Sequence, residues 1–237
     1  MLCKIADLTV EIPDVGGLAP RCGEYICENE TQAQIILEKE KMDIASWQES
    51  GVSIENAYYL ESGFMFYKKL LKFNGFYLHA SAVEMNGRAY LFSAPCGTGK
   101  STHTKLWQEA FGENAQVFND DKPAMRVLDG KWYAYGTPWC GKDGINQNKK
   151  VSLGGICFIK RGEENKIRRL NNSEALQRIL WQTLHKIPNE EPLDRLLGLV
   201  DDLIRHVPVY ELECLPNIEA AKLSYETMRH GAEEADL

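Results

Sequence analysis

The chain has 237 residues, 44% of them hydrophobic and 26% charged, with a net charge of −7. That balance is ordinary for a soluble globular protein, and the length suits one compact domain or one with a small appendage. The negative charge argues against a surface built to coat nucleic acid or an anionic membrane, so any phosphate site must be a local concentration of positive groups.

The seven cysteines, Cys3, Cys22, Cys27, Cys96, Cys140, Cys157 and Cys214, include no Cys-x-x-Cys pair. His79, His103, His185, His206 and His230 do not stand at ligand spacing to them, so no zinc site is expected. Lys4 and Asp7 interrupt any apolar core of a signal peptide, and no apolar run approaches membrane-spanning length. Free thiols in a reducing cytoplasm are the expectation.

Residues 1–75 read as a β-rich N-terminal region, either a separate unit or part of the domain that follows. Ile5–Ile12 partly alternates as a strand, ended by Pro13-Asp14 and Gly16-Gly17, and Glu24–Glu28 and Ala33–Leu37 are two further short strands. Residues 38–56 are polar and carry no clear pattern. Asn56–Lys72 reads as a helix with Tyr59, Phe64, Tyr67 and Leu71 on one buried face, although Gly63 weakens it, and Asn74-Gly75 ends it.

The pattern changes at residue 76, where the second unit, 76–237, begins. Phe76–Met85 reads as a strand, Asn86-Gly87 as a hairpin turn and Arg88–Phe92 as the return strand, which places His79 on the strand paired with the one feeding the next loop. That loop, Ser93–Gly99, leads into Lys100-Ser101-Thr102 and a helix to Ala110. Strand, glycine-rich loop, Gly-Lys-Ser and helix make a phosphate-binding loop, or P-loop. Without side chains at Gly97 and Gly99, the loop Pro95-Cys96-Gly97-Thr98-Gly99 can close its backbone N–H groups, those after Pro95, round phosphate oxygens, helped by the positive end of the helix at Lys100–Thr102. Lys100 would reach the outer phosphates and Ser101 would offer a hydroxyl to Mg²⁺. Gly-Lys-Ser/Thr alone arises by chance in about one chain in ten of this size. The full consensus asks for glycine where this chain has Ala94, so the flanking strand and helix carry the assignment; a plain glycine-rich turn is the alternative.

Ala115–Phe118 is a short strand running into Asn119-Asp120-Asp121. Acidic residues there supply the second half of a nucleotide site: one carboxylate for Mg²⁺, one to take a proton from an attacking hydroxyl. Two adjacent acids can also be a solvated turn. Pro123–Val127 and Lys131–Tyr135 bracket Asp129-Gly130 as a second hairpin. The loop Gly136–Lys142 is either a structural corner or a device bringing Lys142 to the phosphates or the substrate. Val151–Ile159 is the most apolar strand and reads as central. Residues 173–186 and 190–206 read as helices, with Ser173 as N-cap of the first. Val207–Glu213 is a final strand, Ile218–Arg229 a final helix, and the acidic tail after Gly231 is expected to be loose.

Leu78-His79-Ala80, the hairpin, the loop Ala-Pro-Cys-Gly-Thr-Gly-Lys-Ser-Thr-His and Asn119-Asp120-Asp121 resemble the HPr serine kinase/phosphorylase family, and more closely its short members found with peptide-modification genes. The resemblance covers residues 76–160 well, the Val207–Arg229 end weakly and residues 1–75 not at all. It implies an α/β fold like that of ATP-dependent phosphoenolpyruvate carboxykinase and the HPr kinase C-terminal domain: a mixed β-sheet core around a P-loop. It implies ATP and Mg²⁺ as cofactors, Lys100 on the β and γ phosphates, Ser101 and Asp120 on the metal, Asp121 as base and His79 beside the phosphates and the base, with a satisfied sheet histidine as the alternative for His79. Those kinases often assemble as symmetric oligomers. The family's Glu-x-Arg-Gly stretch is not matched: Trp139-Cys140-Gly141-Lys142-Asp143-Gly144-Ile145-Asn146 stands there, with Lys142 in the arginine's role and no glutamate. The HPr-contacting segment is not recognisable.

The implied activity is an ATP-dependent kinase that phosphorylates a hydroxyl of a peptide, protein or small molecule not named by the sequence. The alternative is an ATP-binding switch without phosphoryl transfer. No Asn-Lys-x-Asp guanine motif supports a GTPase, and the chain is too short for a carboxykinase-like lyase.

Overall fold

The first apolar stretch turns back on itself within a few residues. Ala6 and Asp7 both take positive φ, 51° and 61°. The strand expected over Ile5–Ile12 is therefore an antiparallel hairpin of β1 (Leu2–Ile5) and β2 (Leu8–Glu11). Two successive left-handed residues are what a tight two-residue hairpin requires, and Ala in the first position gives no sign of it. β3 (Ile35–Ile36) pairs with β2 in parallel. Glu24–Glu28 is not a strand: it straddles the end of a 3-10 turn, Gly16–Tyr25, and a lone bridge from Ile26 to Cys3. The structure, a computed structural model, describes residues 1–183 and 190–235. His185 and the last part of the helix expected over 173–186 lie outside them.

In the polar stretch after β3, α1 (Ile44–Glu49) starts where the Asp43 carboxylate accepts the amide of Ser46 at 3.2 Å. α2 (Ile54–Leu70) follows, burying Ala57, Phe66, Tyr67 and Leu70 along one face. Gly63 does not weaken it; the packing requires it. A Cβ there would stand 2.9 Å from Cδ1 of Trp139. The Trp139 indole stacks on Phe66, centroids 4.7 Å apart, and its Nε1 donates to Ser62 Oγ at 3.1 Å. Gly136–Lys142 is thus a corner anchored through a fully buried tryptophan.

Among the described residues, nine strands form the main sheet. In chain order the elements are β4 (Gly75–Tyr77), β5 (Ala80–Met85), β6 (Arg88–Ser93), α3 (Lys100–Phe111), β7 (Ala115–Asp121), β8 (Ala124–Leu128), β9 (Lys131–Tyr135), β10 (Lys150–Arg161), β11 (Lys166–Arg169), α4 (Asn172–Thr183), α5 (Glu190–His206), β12 (Val209–Cys214) and α6 (Ile218–Ala235). The order β4-β8-β9-β10-β6-β5-β7, with β12 between β10 and β11, mixes parallel and antiparallel pairs. β10 is the axis. One edge pairs with β6; the other pairs first with β9 over Lys150–Ser152 and then with β12 over Ile156–Arg161.

The two faces of the sheet read directly off the period of two. Ile156 and Phe158 of β10, with Ala89 and Leu91 of β6, face Ile179 of α4 and Leu196, Val200 and Leu203 of α5. Cys157 and Ile159, with Tyr90 and Phe92, face Trp107 of α3 and Met228 of α6. A third cluster joins β1, β2 and α2 to Tyr77, Ala124, Tyr135 and Trp139.

Three further expectations are corrected. Phe76–Met85 is not one strand: it breaks at Leu78–His79, because β4 pairs with β8 whereas β5 pairs with β6 and β7. His79 therefore sits in the break, just before β5. The cap of α4 is Asn171 in place of Ser173: Asn171 Oδ1 accepts the amide of Glu174 at 3.0 Å, and Glu174 Oε2 accepts that of Asn171 at 3.1 Å, a reciprocal capping box. The segment after Gly231 is helical to Ala235. No helix among the described residues is long and apolar enough to cross a membrane.

Candidate functional site

The register of three strands sets the site. Ser93 at the end of β6 pairs with Ala80 at the start of β5, and Ala80 pairs with Asp121 at the end of β7. At a strand spacing of about 4.8 Å, that row puts Asp121 roughly 10 Å from the point where the loop leaves β6. β6, β10 and β12 run parallel, so their C-terminal ends share one rim with Asp120 and Asp121. In open α/β sheets that rim is where ligands bind.

The loop Ala94–Gly99 joins β6 to α3. Gly97 and Gly99 have φ of +76° and +129°, which side chains rarely adopt, and nothing lies within 4 Å of a Cβ at either. Backbone conformation, not crowding, is what calls for glycine at both. Pro95, Cys96 and Gly97 are exposed, Thr98 and Gly99 half-buried, and Thr102 is exposed on the first turn of α3. Lys100 is buried and lies across the loop, its Nζ donating to the Ala94 carbonyl at 3.0 Å. Burial lowers the Lys100 pKa, against the opposing charges of Asp121, Cys96 and Asp120. Arg161, at the end of β10, holds the loop from outside: Nη2 donates to the Gly97 carbonyl at 2.7 Å and Nε to that of Thr98 at 3.2 Å.

Ser101 Oγ donates to Asp120 Oδ2 at 3.0 Å. Asp121 turns the other way. Its φ of +88° is uncommon for a residue with a side chain. Its carboxylate meets His79 Nε2 at 3.2 Å and the ammonium of Lys122. Burial alone would push the Asp121 carboxyl up; the hydrogen bond from His79 and the charge of Lys122 outweigh it and hold the group well below the usual carboxylate range. Gln182 of α4 backs His79, with Oε1 3.0 Å from Nδ1 and its carbonyl accepting the His79 amide at 3.2 Å.

Of the residues singled out by the sequence, the structure brings together Lys100, Ser101, Asp120, Asp121 and His79 beside the loop Pro95–Gly99. It does not bring in Lys142, which is exposed and makes no hydrogen bond or ion pair among the described residues. The cation beside Asp121 is its neighbour, Lys122. The corner at residue 140 reaches the site through its backbone: Gly141 donates its amide to the Asp120 carbonyl at 2.9 Å, and Cys140 bridges to Asp121. Arg21 fixes that corner, donating to the Cys140 carbonyl at 2.7 Å while its guanidinium lies 4.6 Å from the Tyr59 ring centre. Sequence reasoning missed Lys122, Arg161, Gln182 and Arg21. A cation next to Asp121 and another at the end of the most apolar strand were signals for the first two; Gln182 and Arg21 have none.

Space lies beside this cluster. A cleft of about 460 Å³ is bounded by Ala94, Pro95, Phe158, Arg178, Trp181 and Gln182. Trp181 on its border is 76% exposed. The donors Ser101 Oγ and Asp120 Oδ2 are hard oxygens held side by side, a set that fits Mg²⁺.

No family model matches the sequence, and no curated protein matches it. Among solved structures, the HPr(Ser) kinase/phosphatase from Coxiella burnetii aligns over 68% of this chain and 92% of its own, with a TM-score of 0.40 and 11% identity.

Proposed function

We propose that the chain is an ATP-dependent phosphotransferase whose P-loop is Ala94–Ser101 and whose acceptor is a hydroxyl. The observation that carries the reading is the pairing of Ser101 with Asp120 at 3.0 Å beside a loop with two left-handed glycines and a buried lysine. A strand, such a loop and a helix N-terminus form an anion site. The carboxylates on the neighbouring strand supply what phosphoryl transfer adds to phosphate binding.

Each residue then has a task. Backbone N–H groups from Cys96 to Gly99, in the loop that Pro95 opens, surround phosphate oxygens, and Lys100 leaves the Ala94 carbonyl to neutralise the outer phosphates. Ser101 and Asp120 would hold Mg²⁺, which supplies charge neutralisation at those phosphates. Asp121 accepts the proton of the acceptor hydroxyl as the new O–P bond forms and the bond between the γ-phosphorus and the bridging oxygen breaks, releasing ADP. A carboxylate this acidic is a weak base, which suits a loose transition state in which the proton leaves late. His79 and Lys122 position Asp121.

Titration calorimetry of Mg·ATP into wild type and Lys100→Ala tests the nucleotide half. Binding by wild type, weakened by an order of magnitude or more in the variant, supports it. Absence of binding by a folded wild type ends it.

A further inference from the structure

A second opening lies on the other side of the end of α4. It is a cleft of about 550 Å³ between α2 and α5, floored by β4. Gln182 lines the loop-side cleft and Thr183, the next residue, lines this one, so the two openings meet at the same end of the helix. Tyr77, two residues before His79, forms part of its floor. The negative charge of Asp121 is felt at the Tyr77 hydroxyl, which burial already pushes up.

Two features mark the groove as a binding surface. The hydroxyls of Tyr77 and Thr183 are both buried and have no hydrogen-bond partner among the described residues. Buried polar groups are normally satisfied, and each one left alone costs on the order of 1–3 kcal/mol, so an incoming donor or acceptor is the economical explanation. The rim also carries more positive than negative charge: Lys41, Lys68, Lys69 and Lys72 against Asp43 and Glu61. Its two acids are engaged: Asp43 caps α1, and Glu61 accepts from Trp47 Nε1 at 2.8 Å. Lys41 and Lys69 share Glu38, whereas Lys68 and Lys72 are exposed and have no ion pair among the described residues. Between these rims lie Phe64, Leu71 and Phe76. Free lysines over an apolar floor, in a chain of net charge −7, fit an acidic segment that also carries apolar side chains.

We propose that this groove docks an acidic peptide segment of the acceptor, with Lys68 and Lys72 meeting its carboxylates and Tyr77 and Thr183 meeting its backbone. The acceptor hydroxyl lies elsewhere on the same chain and enters the site past Gln182. That last role rests on the phosphotransferase reading; the docking itself does not.

The test is binding, read by fluorescence anisotropy with no nucleotide present, so that its failure is distinct from a failure of catalysis. The probes are a pool of short fluorescein-labelled peptides with acidic and aromatic positions around a serine, the same pool with glutamine for every acid, and a single-stranded oligonucleotide of matched charge. The acidic pool should bind wild type most tightly, and raising salt should weaken it. The exposed double change Lys68→Glu with Lys72→Glu should weaken it by about tenfold or more. Tyr77→Phe with Thr183→Val should weaken it by severalfold while leaving the fold at least as stable, since those hydroxyls have no partner to lose among the described residues. Equal binding of the acidic and glutamine pools, indifference to the lysine reversal, or tighter binding of the oligonucleotide would each overturn the proposal.

Discussion

His79 and Gln182 are joined twice: the histidine amide donates to the glutamine carbonyl at 3.2 Å, and the ring Nδ1 stands 3.0 Å from Gln182 Oε1. The two residues are 103 positions apart in the chain. The contact fixes both the backbone and the ring plane of the residue that meets Asp121, so Gln182 is a positioning residue. Gln182→Ala removes the side-chain half of it, a hydrogen bond of about 1 kcal/mol, and turnover is expected to fall by severalfold to about tenfold. The affinity for Mg·ATP should stay unchanged, because among the described residues no hydrogen bond joins Gln182 to the loop. An equal loss of affinity and turnover would place it in the nucleotide site instead.

A buried histidine gives the pH dependence of stability. Burial pushes the His103 imidazole down to about 4, with Nε2 3.1 Å from Ser224 Oγ. The unfolded chain, with histidine near its usual value of about 6.5, binds more protons than the folded one across the window between these values. Stability therefore falls as pH falls through that window and has no contribution from His103 above it. The expected loss is on the order of 3 kcal/mol, read by urea unfolding at a series of pH values. His103→Gln should flatten the profile there; an unchanged slope would assign it to other groups.

The Trp139 corner makes Gly63 a packing requirement. Gly63→Ala places a methyl 2.9 Å from the indole, and overpacking of this kind costs about 1–3 kcal/mol. Chemical denaturation should show that loss, in spite of alanine's higher helix propensity. A stabilised variant would mean that the corner yields easily and does not anchor Gly141 on Asp120.

Of the seven cysteines, all free, Cys96 is the exposed one, and it lies in the loop proposed to hold phosphate. Alkylation by N-ethylmaleimide should go first to Cys96, and Mg·ATP should slow it by about tenfold or more if the amides around it close on phosphates. Labelling indifferent to nucleotide would remove the ligand from that loop.

What the sequence made legible was local. Gly97, Gly99, Lys100 and Ser101 lie within five positions, and their spacing alone shows a turn that opens a helix. The apolar run Val151–Ile159 foretold the central strand, and its alternation even sorts Ile156 and Phe158 from Cys157 and Ile159. What escaped was set by long-range pairing. Nothing near Leu78–His79 says that Gly75–Tyr77 will leave for β8. Nothing near Arg161 says that its guanidinium will close on carbonyls 63 and 64 positions earlier. Lys142 reads as a cation of the site because it stands in a rigid loop and in the place of the arginine of the family that the sequence resembles. That loop is rigid because of Trp139, and its backbone, not its lysine, reaches the aspartates.

The central claim is that Asp121 takes the proton of an acceptor hydroxyl at a site where Lys100 and Ser101 hold the nucleotide. The most direct measurement is ADP formation from Mg·ATP with serine-containing peptides and small hydroxy compounds as acceptors, wild type beside Asp121→Asn, with ATP affinity measured on the same preparations. Acceptor-dependent turnover that falls by about a hundredfold or more in the variant, at unchanged ATP affinity, is the predicted result. Turnover by the variant equal to that of wild type, or tight ATP binding by wild type with no turnover for any acceptor, would contradict it.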